Sequence, residues 1–461
     1  MDGKPARNRV RGMTLSGAVA AIALWISGTV AIAQDGLFQR EKLTGDWGGA
    51  RSALSARGIE VGLIYIGETL TIARGGINPG STYEGRLEAS VDTDLEKLIG
   101  WKGASTHVKM FQIHKSPQNA ADRVGGIADP SNIDAVPTTR LFTAWFQQNF
   151  FEDRISLRAG QLAADDEFLT STTAGGLING TFGWAATTAS NIRNSGPAYP
   201  LATPGVRLAL KPTAEISLLA AVFAGDPAGK NCIGLPQVCN KHGTTFSTHG
   251  GALWIGELQY QTNQAKDATG LASAYKIGAW YATAAYADMH FGDDGTGTLV
   301  TLATTPTPDN VYHHGNWGLY GVIDQMLWRS AERSTSVFVR GGLAPSDRNT
   351  VSWYIDGGIG FKGLLAGRPD DTLTIGAAHS RISKDLVALD RDTVALGSPG
   401  YPVRSGETVL EVSYIAQMAP WWTIQPDVQY IAKPGGNVPH PVTGSPVGNA
   451  VIVGVRSTIN F

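Results

Sequence analysis

The segment "VIVGVRSTINF" that closes the chain alternates strictly. Val451, Val453, Val455, Ser457, Ile459 and Phe461 fall on one face of an extended strand, and Ile452, Gly454, Arg456, Thr458 and Asn460 on the other. The same period of two recurs along the chain. In "RISLRAGQ", Ile155, Leu157 and Ala159 oppose Arg154, Ser156, Arg158 and Gly160; in "VRLALK", Val206, Leu208 and Leu210 oppose Arg207, Ala209 and Lys211. "TIQPDVQYIA" sets Ile424, Val428, Tyr430 and Ala432 against Thr423, Gln425, Asp427 and Gln429. Further strands are expected at 60–70, 84–94, 105–114, 140–150, 216–224, 251–261, 274–287, 317–328, 335–343, 351–362, 372–380 and 407–418. Polar, glycine-rich or proline-rich joints such as "GDDGTGTLVTLATTPTPDN" and "KPGGNVPHPVTGSPVGN" separate them.

Charges on the inner phase of so many strands do not describe a sandwich, whose inward face must be apolar. They describe a transmembrane antiparallel β-barrel, an all-β fold with its apolar phase in lipid and its polar phase lining water. Tyr414, Trp421, Trp422 and Tyr430 suit the aromatic belts at the two interfaces, and the closing strand is expected to seal against the first so that no edge remains. One stretch breaks the pattern: "GDWGGARSALSARGIE", Gly45 to Glu60, carries a short helix-like run stopped at Gly58 and is expected to form an N-terminal cap.

Composition agrees, with 57 glycines and only 16% charged residues favouring strands and turns over long helices. Lys4, Arg7, Arg9 and Arg11 precede an apolar run from Leu15 to Val30 that is short and interrupted by Ser16, Gly17, Ser27 and Gly28. This reads as a cleaved secretory signal, residues 1–33, with the cut between Ala33 and Gln34. Residues 34–58 are then expected to be a periplasmic segment and 59–461 an outer-membrane barrel. Past the leader no apolar stretch is long enough for a transmembrane helix. Removing the leader makes the chain more acidic than its formal −2, and no basic stripe with interleaved aromatics points to nucleic acid. Cys232 and Cys239, the only cysteines, flank Gly234 and Pro236, and in an oxidising compartment they read as a disulfide closing a small loop.

Several longer stretches resemble the carbohydrate-selective porin family typified by OprB. They include "LTGDWGGARSALSARGIEVGLIYIGE" (Leu43 to Glu68), "YEGRLEASVDTDLEKLIGWKGA" (Tyr83 to Ala104) and "RLFTAWFQQNFFEDRISLRAGQLAADDEF" (Arg140 to Phe168). "INGTFGW" (Ile178 to Trp184), "GNWGLYGVIDQMLWR" (Gly315 to Arg329) and "APSDRNTVSWYIDGGIGFKGLLAGRPDD" (Ala344 to Asp371) continue the likeness. The resemblance implies a barrel of about sixteen strands that passes sugars into the periplasm. The family often carries glutamates around the "AW" dipeptide, where Thr143 and Gln147 stand here, which leaves the charge of the pore open.

A sugar-selective pore needs fixed donors and acceptors for hydroxyls and aromatic surfaces for C–H patches, and no cofactor or covalent step. In "GRLEASVD", Arg86 and Glu88 share the polar phase and are the first lumen candidates. Arg158 and Arg207 lie on the polar phase of their strands, and Trp145 shares the phase of Thr143 and Gln147. Glu68 precedes a glycine-rich loop, "ARGGINPG", that could fold inward. Asp165, Asp166 and Glu167 are expected in a turn rather than as a hydrolase pair, His313 and His314 at the surface, and "GDDGTG" lacks a full calcium ligand set. The expected partners are mono- and oligosaccharides, outer-membrane lipid and the assembly machinery reading Phe461, with monomer and homo-oligomer both open. A general or acid-solute porin is the alternative within the compartment, and an exported β-rich carbohydrate-active enzyme the alternative outside it.

The leader assignment is checked by Ala33→Asp, which should block processing because the site requires a small residue there. A normal mature N-terminus by mass spectrometry would refute the cut.

Overall fold

The computed structural model describes residues 36–461 except Lys266, so the leader lies outside the described residues. Strands β1 (Ile59–Gly76), β2 (Gly80–Asp94), β3 (Ala104–Lys115) and β4 (Thr138–Phe150) are followed by β5 (Ile155–Leu162), β6 (Thr203–Leu210), β7 (Ile216–Ala224) and β8 (Ala252–Thr262). Next come β9 (Ser273–Asp293), the short β10 (Leu299–Thr301), β11 (Asp309–Arg329), β12 (Ser334–Leu343) and β13 (Val351–Lys362). The last four are β14 (Thr372–Ile382), β15 (Gly406–Ala419), β16 (Trp422–Ala432) and β17 (Gly448–Asn460). All are antiparallel to their neighbours in one sheet of 17 strands. β10 only lengthens the hairpin between β9 and β11, so sixteen strands close the barrel. Every alternating segment named from the sequence lies in one of these sixteen.

Closure is made by the terminal strand. β17 pairs with β1 from Ile64↔Asn460 to Gly76↔Gly448, and the Phe461 N–H donates to the Leu63 carbonyl at 2.9 Å. The Arg51 guanidinium donates to the Phe461 oxygen at 2.9 Å from the helix Ala50–Ala56, the cap expected in that region. Gly58 joins helix to strand at φ +84°, where a Cβ would stand 2.7 Å from the Asp94 carbonyl.

Alternate side chains face outward along each strand. Val453 and Val455 are 42% and 50% exposed while Ile452, next to Val453, is at 0%, so the outer face is apolar and open and must meet lipid. Trp254, Tyr281 and Trp317 stand in register across β8, β9 and β11 near the ends that carry the long loops, and Tyr260 and Tyr275 do so toward the other ends. Six residues of strand separate the two rows, roughly 20 Å, the order of an apolar band flanked by aromatic girdles. Tyr430 joins the upper row, and Trp422, bonded to Ser457, faces outward lower down. Trp421 does not face lipid. It turns into the β15–β16 turn, 7% exposed, where its indole donates to the Leu37 carbonyl and its ring stacks on Phe38.

The interior departs from the expectation of a water-lined wall. Inward residues Leu253, Ile255, Trp280, Val322, Phe338, Ile431 and Ile452 are buried in one apolar cluster with Ala120, Val124, Phe168, Leu169, Leu177 and Phe182. These last six come from two segments folded into the barrel, 116–137 between β3 and β4 and 163–202 between β5 and β6. The sector from β7 round to β1 therefore packs like a globular core.

Deleting Phe461 should remove one closing hydrogen bond and the partner of Arg51 while leaving the ladder from Ile64 to Gly76. Heat-modifiable gel mobility is expected to show near-normal refolding into detergent and poor assembly in cells. Equal loss in both would mean that Phe461 acts through packing alone.

Candidate functional site

The two in-folded segments are held by charged side chains of the inner wall, which read the backbone of each segment. Glu407 accepts from the Ile127, Ala128 and Gly435 N–H groups at 2.7, 2.8 and 2.7 Å, and Glu84 from Ala120 at 3.0 Å. Glu411 accepts from Ile178 and Asn179, Glu257 from Leu169, and Asp324 from the Thr173 N–H and hydroxyl and from the Ser171 hydroxyl. Arg340, paired with Asp356, supplies the opposite sense, donating to the carbonyls of Leu169, Gly183 and Thr181 at 3.0, 3.1 and 3.1 Å.

Glu68 belongs to this set. It faces inward but is sealed at 1% exposure, accepting from Arg456 at 2.6 Å and from the Ser131 hydroxyl. The glycine-rich loop after it binds the in-folded segment 116–137, with the Ile77 and Asn78 N–H groups donating to the Arg123 carbonyl at 2.7 and 3.0 Å. Gly75 and Gly76, at φ +72° and +66°, turn it tightly at the end of β1.

What the segments leave open is a polar sector bounded by β2 to β6. There the Trp145 ring lies 3.9 Å from the Arg158 guanidinium and 5.0 Å from the His107 ring, and His107 pairs with Asp92 at 2.6 Å. Arg158 and Arg207 stand opposite each other across β5 and β6. The Gln147 amide oxygen accepts from both at 3.0 Å, and Glu167 bridges both at 3.4 and 2.9 Å. Arg207 is only 3% exposed and positions Glu167 from behind, whereas Arg158 is half-buried at the surface of the sector. On the neighbouring wall Arg86 pairs with Glu88 and lies between the Phe111 and Tyr199 rings, 4.8 and 4.6 Å from their centroids.

The structure thus brings Trp145, Arg158 and Arg207 into one constellation and Arg86 and Glu88 into another, and takes Glu68 into the loop anchors. Thr143 is fully buried, and Gln147 is the residue that joins the two arginines. Sequence phase carried no signal for Glu167 or Tyr199, which lie off the strands. Asp165 and Asp166 occupy a 3-10 turn, as expected, but one inside the barrel. Burial and the neighbouring Asp166 push the Asp165 carboxyl up to about 7. His313, expected at the surface, pairs with Asp288 at 2.7 Å. Asp293 and Asp294 of "GDDGTG" cap backbone amides of their own turn.

Above this sector, toward the long loops, a cavity of about 540 Å³ opens between the two in-folded segments. Its wall combines the Trp184 and Tyr199 rings with Asn119, Asp129, Asp134 and Gln237. Burial raises the Asp134 carboxyl despite Lys115 at 2.8 Å. The Gln237 wall belongs to the small loop that the Cys232–Cys239 disulfide closes, with Cα atoms 5.6 Å apart.

Residues 78–461 match the model of a family described as carbohydrate-selective porin, OprB family. Porin B of Pseudomonas aeruginosa is 25% identical over 484 aligned positions, covering 98% of each chain. The high-pH structure of Pseudomonas putida OprB superposes with a TM-score of 0.80 at 22% identity, over 93% of this chain and all of that one. The low-pH structure of the same protein superposes with a TM-score of 0.55 at 15% identity, over 92% and 99%. At these identities the structural likeness establishes the shared barrel.

The wall anchors carry a direct test. Glu411→Ala should leave two buried N–H groups without acceptors, at about 1–3 kcal/mol each, and loosen the segment 163–202. Single-channel conductance and disaccharide flux should both rise while the barrel keeps its heat-modifiable mobility. Unchanged conductance would show that the segment is held without Glu411.

Proposed function

Because the chain belongs to the carbohydrate-selective porin, OprB family, we propose that it lets sugars diffuse passively across the outer membrane through the polar sector bounded by β2 to β6. The observation that carries this reading is the constellation of Trp145, Arg158, Arg207, Gln147 and Glu167. It offers fixed donors and acceptors beside an aromatic face, with its two cations sharing one carboxylate. A neutral polyol meets hydrogen-bond partners there without a strong net field, and its apolar C–H faces meet Trp145. Arg86 with Glu88 repeats the arrangement beside Phe111 and Tyr199.

The filling of the β7-to-β1 side of the lumen favours a selective passage over general diffusion, since a wide water-filled pore would leave that wall solvated. The long loops project from the ends of the strands opposite both termini. Barrels of this class carry short turns on the periplasmic side and long loops outside, which orients the cavity toward the exterior and the termini toward the periplasm. A solute then passes the cavity before it reaches Arg86 and Arg158.

Arg86→Ala tests the reading. Loss of a charge-assisted donor should raise the glucose concentration at which flux half-saturates by roughly tenfold and lower the flux at low concentration. The measurement is liposome swelling with mono- and disaccharides, together with ion selectivity in a planar bilayer. Unchanged glucose flux at normal protein levels would demote Arg86 and Glu88 to wall residues. Anion flux exceeding sugar flux in the unaltered protein would favour the acid-solute alternative.

A further inference from the structure

Several cations on the inner wall pair with acids: Arg86 with Glu88, Arg158 and Arg207 with Glu167, Arg340 with Asp356, and Arg456 with Glu68. On the outer face one arc differs. Arg381 on β14, Lys433 just past β16 and Arg74 on β1 are exposed, and none of the three forms an ion pair among the described residues. Arg381 is on the lipid side by phase, a bulge after Ile72 turns Arg74 outward, and Lys433 lies off the strand phase, past the end of β16 at φ +54°. Ser380 and Ile382 on either side of Arg381 are buried inward at 3% and 2%, and Arg74 stands opposite the outward Val451. Both Arg381 and Lys433 bear electrostatically on His379, whose ring lies 5.2 Å from that of the outward Trp353.

The register places these groups within about two residues of one row of the sheet. His379 opposes Thr408, which opposes Ala432 beside Lys433, and Tyr430 opposes Val451, which opposes Arg74. The arc crosses β14, β15, β16, β17 and β1, a width of roughly 20 Å, at the upper aromatic girdle. Two of the adjoining loops offer no acid, and in the third, 383–405, Asp385, Asp390 and Asp392 are engaged by Ser346, Arg404 and His290. "KPGGNVPHPVTGSPVGN" from Lys433 and "ARGGINPG" from Ala73 contain no aspartate or glutamate. Glu407, close in sequence to the arc, faces inward at 1% exposure and is consumed by three backbone amides. Unpaired cations against hydrocarbon are costly, so at the girdle they require an anionic headgroup.

We propose that Arg381, Lys433 and Arg74, with Trp353 and Tyr430 beneath them, form a binding site for the phosphate groups of an anionic glycolipid of the outer leaflet. Guanidinium forks match phosphate oxygens two at a time, and the ammonium of Lys433 adds a point charge. The site rests on the outer-membrane orientation argued above and is separate from the sugar path.

The test is native mass spectrometry of the full-length barrel in detergent, incubated with a bisphosphorylated acylated glucosamine disaccharide or with the same lipid after removal of its phosphates. The phosphorylated lipid should be retained and the dephosphorylated lipid should not, a comparison that needs no variant. R381A/K433A should reduce retention by roughly tenfold, and R381K/K433R should restore most of it. Equal retention of the two lipids, or retention unaffected in R381A/K433A, would overturn the proposal. Displacement of the lipid by equimolar inorganic phosphate would overturn it too, in favour of a free-anion site. Glucose flux through R381A/K433A should match the unaltered protein. Absence of sugar flux in both would count against the channel reading and leave the lipid result to stand on its own.

Discussion

The structure depends on one kind of contact: a carboxylate on the inner wall of the barrel accepting hydrogen bonds from the backbone of a segment folded inside it. Glu84, Glu257, Asp324, Glu407 and Glu411 all do this, and Arg340 does the converse with carbonyl groups. An irregular segment inside a barrel has backbone groups that no strand ladder satisfies, and leaving them buried without partners costs about 1–3 kcal/mol each. The wall charges solve this. The apolar residues of the segments then have a dry surface to pack on, which explains why Phe168, Leu177 and Phe182 share a cluster with inward residues of β8, β9, β11 and β12.

This filling decides where a solute can go. It closes the lumen from β7 round to β1 and confines the passage to the wall of β2 to β6. Arginines there are balanced by carboxylates and lie beside aromatic rings. Glu167 shows the dependence most clearly, since it is carried by one of the in-folded segments and reaches the wall arginines only because that segment is held in place. The geometry of the polar sector thus depends on anchors that lie outside it.

The outer face obeys a different constraint. Hydrocarbon accepts no unpaired backbone group and few charges, so the barrel is closed by β17 on β1 and its exposed middle is apolar. Arg381, Lys433 and Arg74, which form no ion pair among the described residues, stand near the upper girdle. Inner charges answer to the backbone of the in-folded segments, and the strand period of two keeps them apart from the outward residues.

The sequence by itself determined the strands, the closure and the polarity of the two faces, because a period of two is local and survives in any context. It also placed Arg86, Glu88, Trp145, Arg158 and Arg207 on the inner phase correctly, and the resemblance supplied the count of sixteen. Tertiary structure decided which inner residues stay open. Phase says that Glu68 and Arg158 both point inward, yet only the placement of segments 116–137 and 163–202 seals the first and leaves the second half-open. The inward Ile255, Trp280 and Phe338 are apolar, and nothing local to β8, β9 or β12 shows what covers them. Those partners lie far off in sequence, on segments with no periodicity, held by side chain to backbone bonds that leave no pattern in the chain.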